Sequence, residues 1–255
     1  MARRPGPTAG TAARRRPRTG PPPPPPPPAP PPKSEEREPR GARRKRETRE
    51  KLLDAAFRLF GERGVDAVAI NEITEAADVG FGSFYNHFAS KEAIYDAVVD
   101  SVFGAFGDTL ERLTSDVEDP AEVVAICVRH TILRAHAEPL WGRFFLREGF
   151  KPSAMTRGLG ARLLRDVQRG VAAKRFDTPD VLMAVMLAGG CVMATVAAEG
   201  AMPGQGARAR QLGLETKDLP SRAAAAILEA LGLNRAEAQK LASRPLPPIE
   251  SPPSA

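Results

Sequence analysis

The 255-residue chain is poor in the side chains that build most catalytic and metal centres. It holds two Cys, three His and one Trp, and aromatic residues make up 5% of it. Cys127 and Cys191 are too few and too far apart for a disulfide framework or a four-thiolate site. His130 and His136 do not share a helix face, and no Gly-x-Ser-x-Gly, Walker loop or His-Glu-x-x-His occurs. No catalytic residue, metal or cofactor is therefore implied, and an enzyme has no assembled constellation to rest on. The amino terminus lacks the apolar segment of a secretory signal. The one long apolar run, Val181 to Ala198, reaches the roughly 18 residues of a membrane span, but it stands alone and is built largely of Ala, Gly, Met, Val and Cys. It reads as a buried helix, and a soluble cytoplasmic protein with no membrane contact is expected.

Charge is plentiful but unevenly placed: 37 Lys and Arg face 31 Asp and Glu, a net of +6. Residues 1–46 hold 13 of the cations, three Glu and 15 of the 26 prolines, so the rest of the chain is acidic. The run Pro21 to Pro28, continued by Pro30 to Pro32, fixes φ and removes backbone donors, which predicts a stiff polyproline II spacer in a disordered basic tail over 1–46. Three readings of that tail stay open. It is a solvated extension, a ligand for a proline-reading module, or an arm that holds phosphates. The cluster Arg43, Arg44, Lys45 and Arg46, just before the first apolar residues, draws attention to the third.

Apolar periodicity begins at about Thr48. Leu52, Leu53, Ala56, Phe57, Leu59 and Phe60 recur at helical steps until Gly61 and Gly64 stop them. A short helix follows, with Ile70, Ile73, Ala76 and Ala77 on one face. Asp78-Val79-Gly80 makes a tight turn, and Phe81 to Phe88 can form about two more helical turns. Ser90 caps a long fourth helix from 91 to about 116. Asp119-Pro120 and Thr178-Pro179 open helices at about 120–137 and 179–199, with helices at 139–148 and 155–176 between them. A loop at 200–217, helices at 220–231 and 234–242 and a Pro-rich end complete an all-α pattern. The domains read as 47–95, 96–232 and 233–255.

Two short helices around Asp78-Val79-Gly80 match a helix-turn-helix, whose second helix lies in a DNA major groove. From Arg46 to about Val98 the chain resembles the DNA-binding domain of TetR/AcrR-type transcriptional regulators. Phe60 with the Gly64 turn, Ile73 and Ala77, Gly82-Ser83, Tyr85, Phe88 and Ser90-Lys91-Glu92 match together. Three positions depart from the family pattern: Ala69 where a capping Ser or Thr is usual, Asp78 where Gly is common, and Phe81 where a polar residue often reads DNA.

The resemblance implies a homodimer with an operator-binding head and a ligand-binding, dimer-forming body. It places Ser83, Tyr85 and Lys91 on phosphates, and Gly80, Phe81, Gly82, Asn86 and His87 on or near the bases. Residues 47–95 carry five Lys and Arg against nine acids, so the head alone should hold DNA weakly. Arg40 and Arg43, Arg44, Lys45 and Arg46 are therefore expected to act as a basic arm.

For a small apolar effector the candidate lining is Phe103, Phe106, Leu110, Cys127, Trp141, Phe144, Phe145, Met183 and Met186, with His130 and Arg134 as polar points. The helices at 179–199 and 220–231 fall where the family builds its dimer interface. The expected function is a ligand-responsive repressor on a pseudo-palindromic operator. An activator on the same fold, or an interaction scaffold using the polyproline tail, is the alternative.

Overall fold

Ten helices and no strand make up the described residues, 39–149, 151, 156–201 and 217–249, of this computed structural model. The expectations for residues 1–38, most of the 200–217 loop and the extreme carboxyl end lie outside the described residues.

The first helix, α1 (Arg40–Arg63), starts earlier than periodicity predicts. Its first buried residue is Leu52, so nothing apolar marks the preceding turns. Arg, Lys, Glu and Ala are nonetheless good helix formers. Pairs one turn apart, Arg43–Glu47 at 3.2 Å and Arg46–Glu50 at 3.8 Å, add modest support. The basic cluster is thus helical and not an irregular tail. Gly64 ends α1 at φ +83°, a left-handed conformation that glycine adopts without a Cβ clash.

Helix α2 (Ile70–Ala76) begins without a side-chain cap, as Ala69 implies. The Glu72 carboxylate replaces it in part, accepting the Ala69 N–H at 2.7 Å while Arg63 donates to Glu72 at 2.7 Å. After α2, Asp78 takes φ +53°, its N–H donates to the Glu75 carbonyl at 3.1 Å, and that of Val79 donates to Thr74 at 3.0 Å. This is the Schellman ending, with Asp in the position that glycine usually fills.

Helix α3 (Phe81–Phe84) is shorter than expected, and Tyr85–His87 continue as a turn. Phe84 and Phe88 are buried against Leu52, Ala56 and Ile73 in one core, which holds the short unit in place. Ser90 then caps α4 (Lys91–Leu113), its Oγ accepting the Ala93 N–H at 3.2 Å.

Helix α4 belongs to both halves. Ile94 and Val98 join the core around α1, and Phe103, Phe106 and Leu110 are buried further along. The body follows as α5 (Pro120–Ala137), α6 (Pro139–Gly149), α7 (Gly158–Ala172), α8 (Val181–Ala201), α9 (Leu219–Ala230) and α10 (Arg235–Ala242). Asp119 and Asn234 cap α5 and α10 through their side chains. Helix α5 is the axis of the body, packed by α6, α7, α8, α9 and α10. Helix α6 reaches back to α1.

Helix α8 has the length and apolarity of a membrane span, with one third of that window buried. Ala184, Val185, Ala188, Val192 and Val196 face inward at helical spacing. Leu182, Met183, Met186 and Leu187 form an exposed apolar face opposite, too extensive to pass as scattered surface residues.

Candidate functional site

Two places gather the candidate residues. The first is the surface around α3. Phe81 and Tyr85 are about half exposed, 53% and 52%, and their rings meet edge to face at 5.7 Å. Gly82 and Asn86 are exposed beside them, and Ser83 is half-buried. The Gly80 carbonyl accepts the Ser83 N–H at 2.8 Å. This leaves a small aromatic and amide face pointing away from the core, suited to base edges, thymine methyls and sugar-phosphate. His87 is half-buried. Burial, and then the charges of Lys45 and Arg49, hold its imidazole below the usual pKa, so it is neutral at pH 7.

Lys91, for which the resemblance implies a phosphate contact, also ties the head together. Its ammonium donates to the carbonyls of Val65 at 3.1 Å and Val68 at 3.2 Å, tying the start of α4 to the loop after α1. One of its three donors remains for another partner.

The second place is a cavity of about 780 Å³ between α4, α5, α7 and α8, within the range of small-molecule sites. Phe103, Leu110, Cys127 and Phe145 border it, and Met186, exposed at the edge of the outer face of α8, stands at its open rim. Burial pushes the Cys127 thiol up to about 12, so it is a neutral, weakly polar wall.

The other six expected lining residues are placed elsewhere. Trp141, Phe144 and Phe106 are fully buried in an aromatic cluster: Trp141 stacks on Phe145 at 5.2 Å, and Phe106 meets Trp141 edge-on at 5.4 Å. Arg134 lies over the Phe106 and Trp141 rings and bonds Glu138. His130 shares a hydrogen bond of 3.1 Å with the Pro247 carbonyl, under the chain that follows α10. Met183 is on the exposed face of α8. Large aromatics on a helical face signal burial, and for Phe106, Trp141 and Phe144 burial means packing behind the cavity wall that Phe103 and Phe145 form.

Charged residues overlooked in the sequence replace them. Arg162, Arg165, Asp166 and Arg169 recur at the spacing of one helix face and line the cavity from α7, opposite Glu111 of α4. Glu111 accepts from Arg162 at 3.0 Å and Arg165 at 2.7 Å, which holds its carboxyl below the usual range. The Arg162 guanidinium lies against the backbone of Gly107, where a Cβ would require it to shift. Asp166 is buried, and its carboxyl is raised above the ordinary value because desolvation outweighs the nearby arginines. Its cation partners are Arg165 at 3.5 Å and Arg169 at 4.0 Å, and a carboxylate has room for further donors. At the other end of the cavity, Glu148 and Lys151 pair at 3.1 Å, and the Tyr95 hydroxyl donates to Glu148.

A short exposed helix behind a tight turn, carried by a helical body with an internal cavity, defines a helix-turn-helix regulator. Comparison with known proteins makes this specific. The family model described as "Bacterial regulatory proteins, tetR family" matches residues 52–98, and "Tetracyclin repressor-like, C-terminal domain" matches 119–244.

The solved structure of RolR with its ligand resorcinol is 35% identical, covers 82% of this chain and all of that one, and superposes with a TM-score of 0.59. An uncharacterized HTH-type transcriptional regulator of Mycobacterium tuberculosis is 31% identical over 104 residues, 41% of this chain and 52% of that protein. The HTH-type transcriptional repressor KstR2 of Rhodococcus jostii is 42% identical over 62 residues, 23% of this chain and 30% of that protein. The chain thus spans about half or less of the length of these curated relatives. It belongs to the TetR family of bacterial transcriptional regulators, with a DNA-binding helix-turn-helix.

Proposed function

We propose that the protein is a ligand-responsive repressor that binds a pseudo-palindromic operator as a homodimer and lets go when a small effector fills the body. Support for the dimer comes from the exposed apolar face of α8, which a second copy would cover. Two α3 units must then sit about 34–36 Å apart to enter successive major grooves. An effector acts by preferring a body in which that spacing is lost. Residues Phe81, Gly82, Tyr85 and Asn86 meet the bases and sugar-phosphate in this reading.

The observation that carries the proposal is the cavity with Asp166 in its wall. A largely apolar space with a buried carboxylate in its wall suits a small ring that bears a hydroxyl, because the hydroxyl can donate to an oxygen of Asp166 beside its contacts with Arg165 and Arg169. Resorcinol bound to RolR is a ring of that kind. The effector class in this reading is a hydroxylated aromatic, a more specific class than the small apolar effector expected from sequence.

The test is selection of bound duplexes from a random pool with the full-length protein, followed by competition. Resorcinol is expected to release the selected duplex at concentrations where toluene does not. Asp166→Asn should lower the resorcinol response at least tenfold and leave operator affinity unchanged. Equal release by toluene would overturn the hydroxyl reading, and failure to select any duplex would overturn the regulator reading.

A further inference from the structure

The first turns of α1 run against helix electrostatics. Cations are unfavourable in the first turn of a helix, yet Arg40 and Arg43 stand there with no acid in that turn, and Arg44, Lys45 and Arg46 extend the run into the next turn. Residues 40–51 are exposed apart from half-covered Thr48, so packing does not impose the arrangement. They hold seven cations and two Glu, whereas residues 52–95 hold three cations and seven acids. A local rule broken without a packing gain marks a functional surface.

The helix sorts these cations by face. At 100° per residue, Lys45 and Arg49 fall one turn apart on one side, with Arg40 and Arg43 on the other. The Lys45–Arg49 side is the one beside the recognition turn: the Arg49 guanidinium sits 5.1 Å from the centre of the Phe88 ring. The same two charges act on His87. Arg43 and Arg46 are engaged by Glu47 and Glu50. Lys45 and Arg49 have no carboxylate partner among the described residues.

We propose that the Lys45–Arg49 row is a helical rail for the DNA backbone, holding phosphates beside the groove that α3 enters. The extension is a continuation of α1 and not a flexible arm, so its charges are delivered in register with the recognition turn. Ordering them is largely done before binding. The proposal rests on the reading of the protein as an operator-binding regulator.

The experiment uses the full-length protein and a duplex selected by it, with affinity measured between about 50 and 200 mM salt. Each phosphate neutralised contributes about 0.9 to the slope of log affinity against log salt. Removing two contacts in each of two protomers should flatten the slope by about 3 to 4. Lys45→Gln with Arg49→Gln is expected to do this and to weaken binding at least tenfold at the lower salt. Arg40→Gln with Arg43→Gln removes the same charge from the opposite side and should change the slope by less than about 1.

Lys45→Gln alone, where no packing is at stake, should give about half of the double effect, and Lys45→Arg should restore it. Equal slopes for the two double variants, or no change in either, would overturn the rail while leaving operator binding intact. A wild-type protein that selects no duplex would overturn both the rail and the regulator reading, so the two failures are distinct.

Discussion

Ala69 shows how one missing hydroxyl is offset. The residue has extended backbone, φ −94° and ψ 157°, as a capping residue requires, but no acceptor for the first N–H groups of α2. Glu72 and Arg63 hold this helix start from outside. Ala69→Ser should therefore stabilise the protein by about 0.5–1 kcal/mol, read as a raised urea midpoint with an unchanged slope. The opposite case is Trp141, fully buried among Phe103, Phe106 and Phe145. Trp141→Ala should cost about 3–5 kcal/mol and lower the thermal midpoint even with no effector present. Asp78 and Phe88 were legible in the sequence because a turn and a core position each restrict residue type. The roles of His130 and Arg134 were not, since their partners, Pro247, Phe106 and Trp141, are set by packing between distant elements.

Among the elements, α5 and the helices near it are tied by a charged knot. Arg175 donates to Asp119 at 2.8 Å and to Glu237 at 2.8 Å, joining the start of α5, the end of the turn after α7, and α10. Arg175, and then the Ala121 N–H, hold the Asp119 carboxyl below its ordinary value against the opposing effect of burial. A carboxyl depressed on folding adds stability above its unfolded pKa of about 3.9 and loses it as pH falls through the lower folded value. The wild type should thus lose stability below about pH 4 more steeply than Asp119→Asn, which keeps the cap but not the charge. Partial exposure keeps the difference near 1 kcal/mol, measurable by urea melts at successive pH values.

Most of these helix boundaries were readable because apolar residues recur every three or four positions and Asp-Pro or Ser-x-Glu marks a start. The beginning of α1 was not, because a helix of Arg, Lys, Glu and Ala carries no apolar period. The charged face of α7 was missed for a related reason. Arg162, Arg165, Asp166 and Arg169 share one side, a pattern that ordinarily faces solvent; here Arg165 and Arg169 stay exposed at the rim of the cavity while Arg162 and Asp166 turn inward, toward Glu111 and the cavity wall.

At the scale of the whole molecule, head and body meet through α4, which runs through both, and through α6, whose Leu140, Phe144 and Arg147 touch α1. Arg147 donates to the carbonyl of Glu62 at 3.1 Å, at the open end of α1, and to that of Phe60 at 3.0 Å, which also accepts the Gly64 N–H. The next residue, Glu148, borders the cavity and accepts from Tyr95 of α4, whose ring meets Phe60 at 6.1 Å. If the protein is the ligand-responsive repressor proposed above, a ligand that displaces Glu148 or Lys151 would move the turn that grips α1, the helix leading into the recognition unit. Coupling between two sites is a free energy, typically 1–3 kcal/mol, and acts equally in both directions. Arg147→Gln should leave resorcinol and operator each able to bind alone, while the factor by which one weakens the other falls below about threefold. Titrating resorcinol with and without saturating operator measures this factor directly, and the reverse titration must return the same value. An undiminished factor in the variant would place the coupling in α4 alone, through Ile94 and Val98, and not in the grip of α6 on α1.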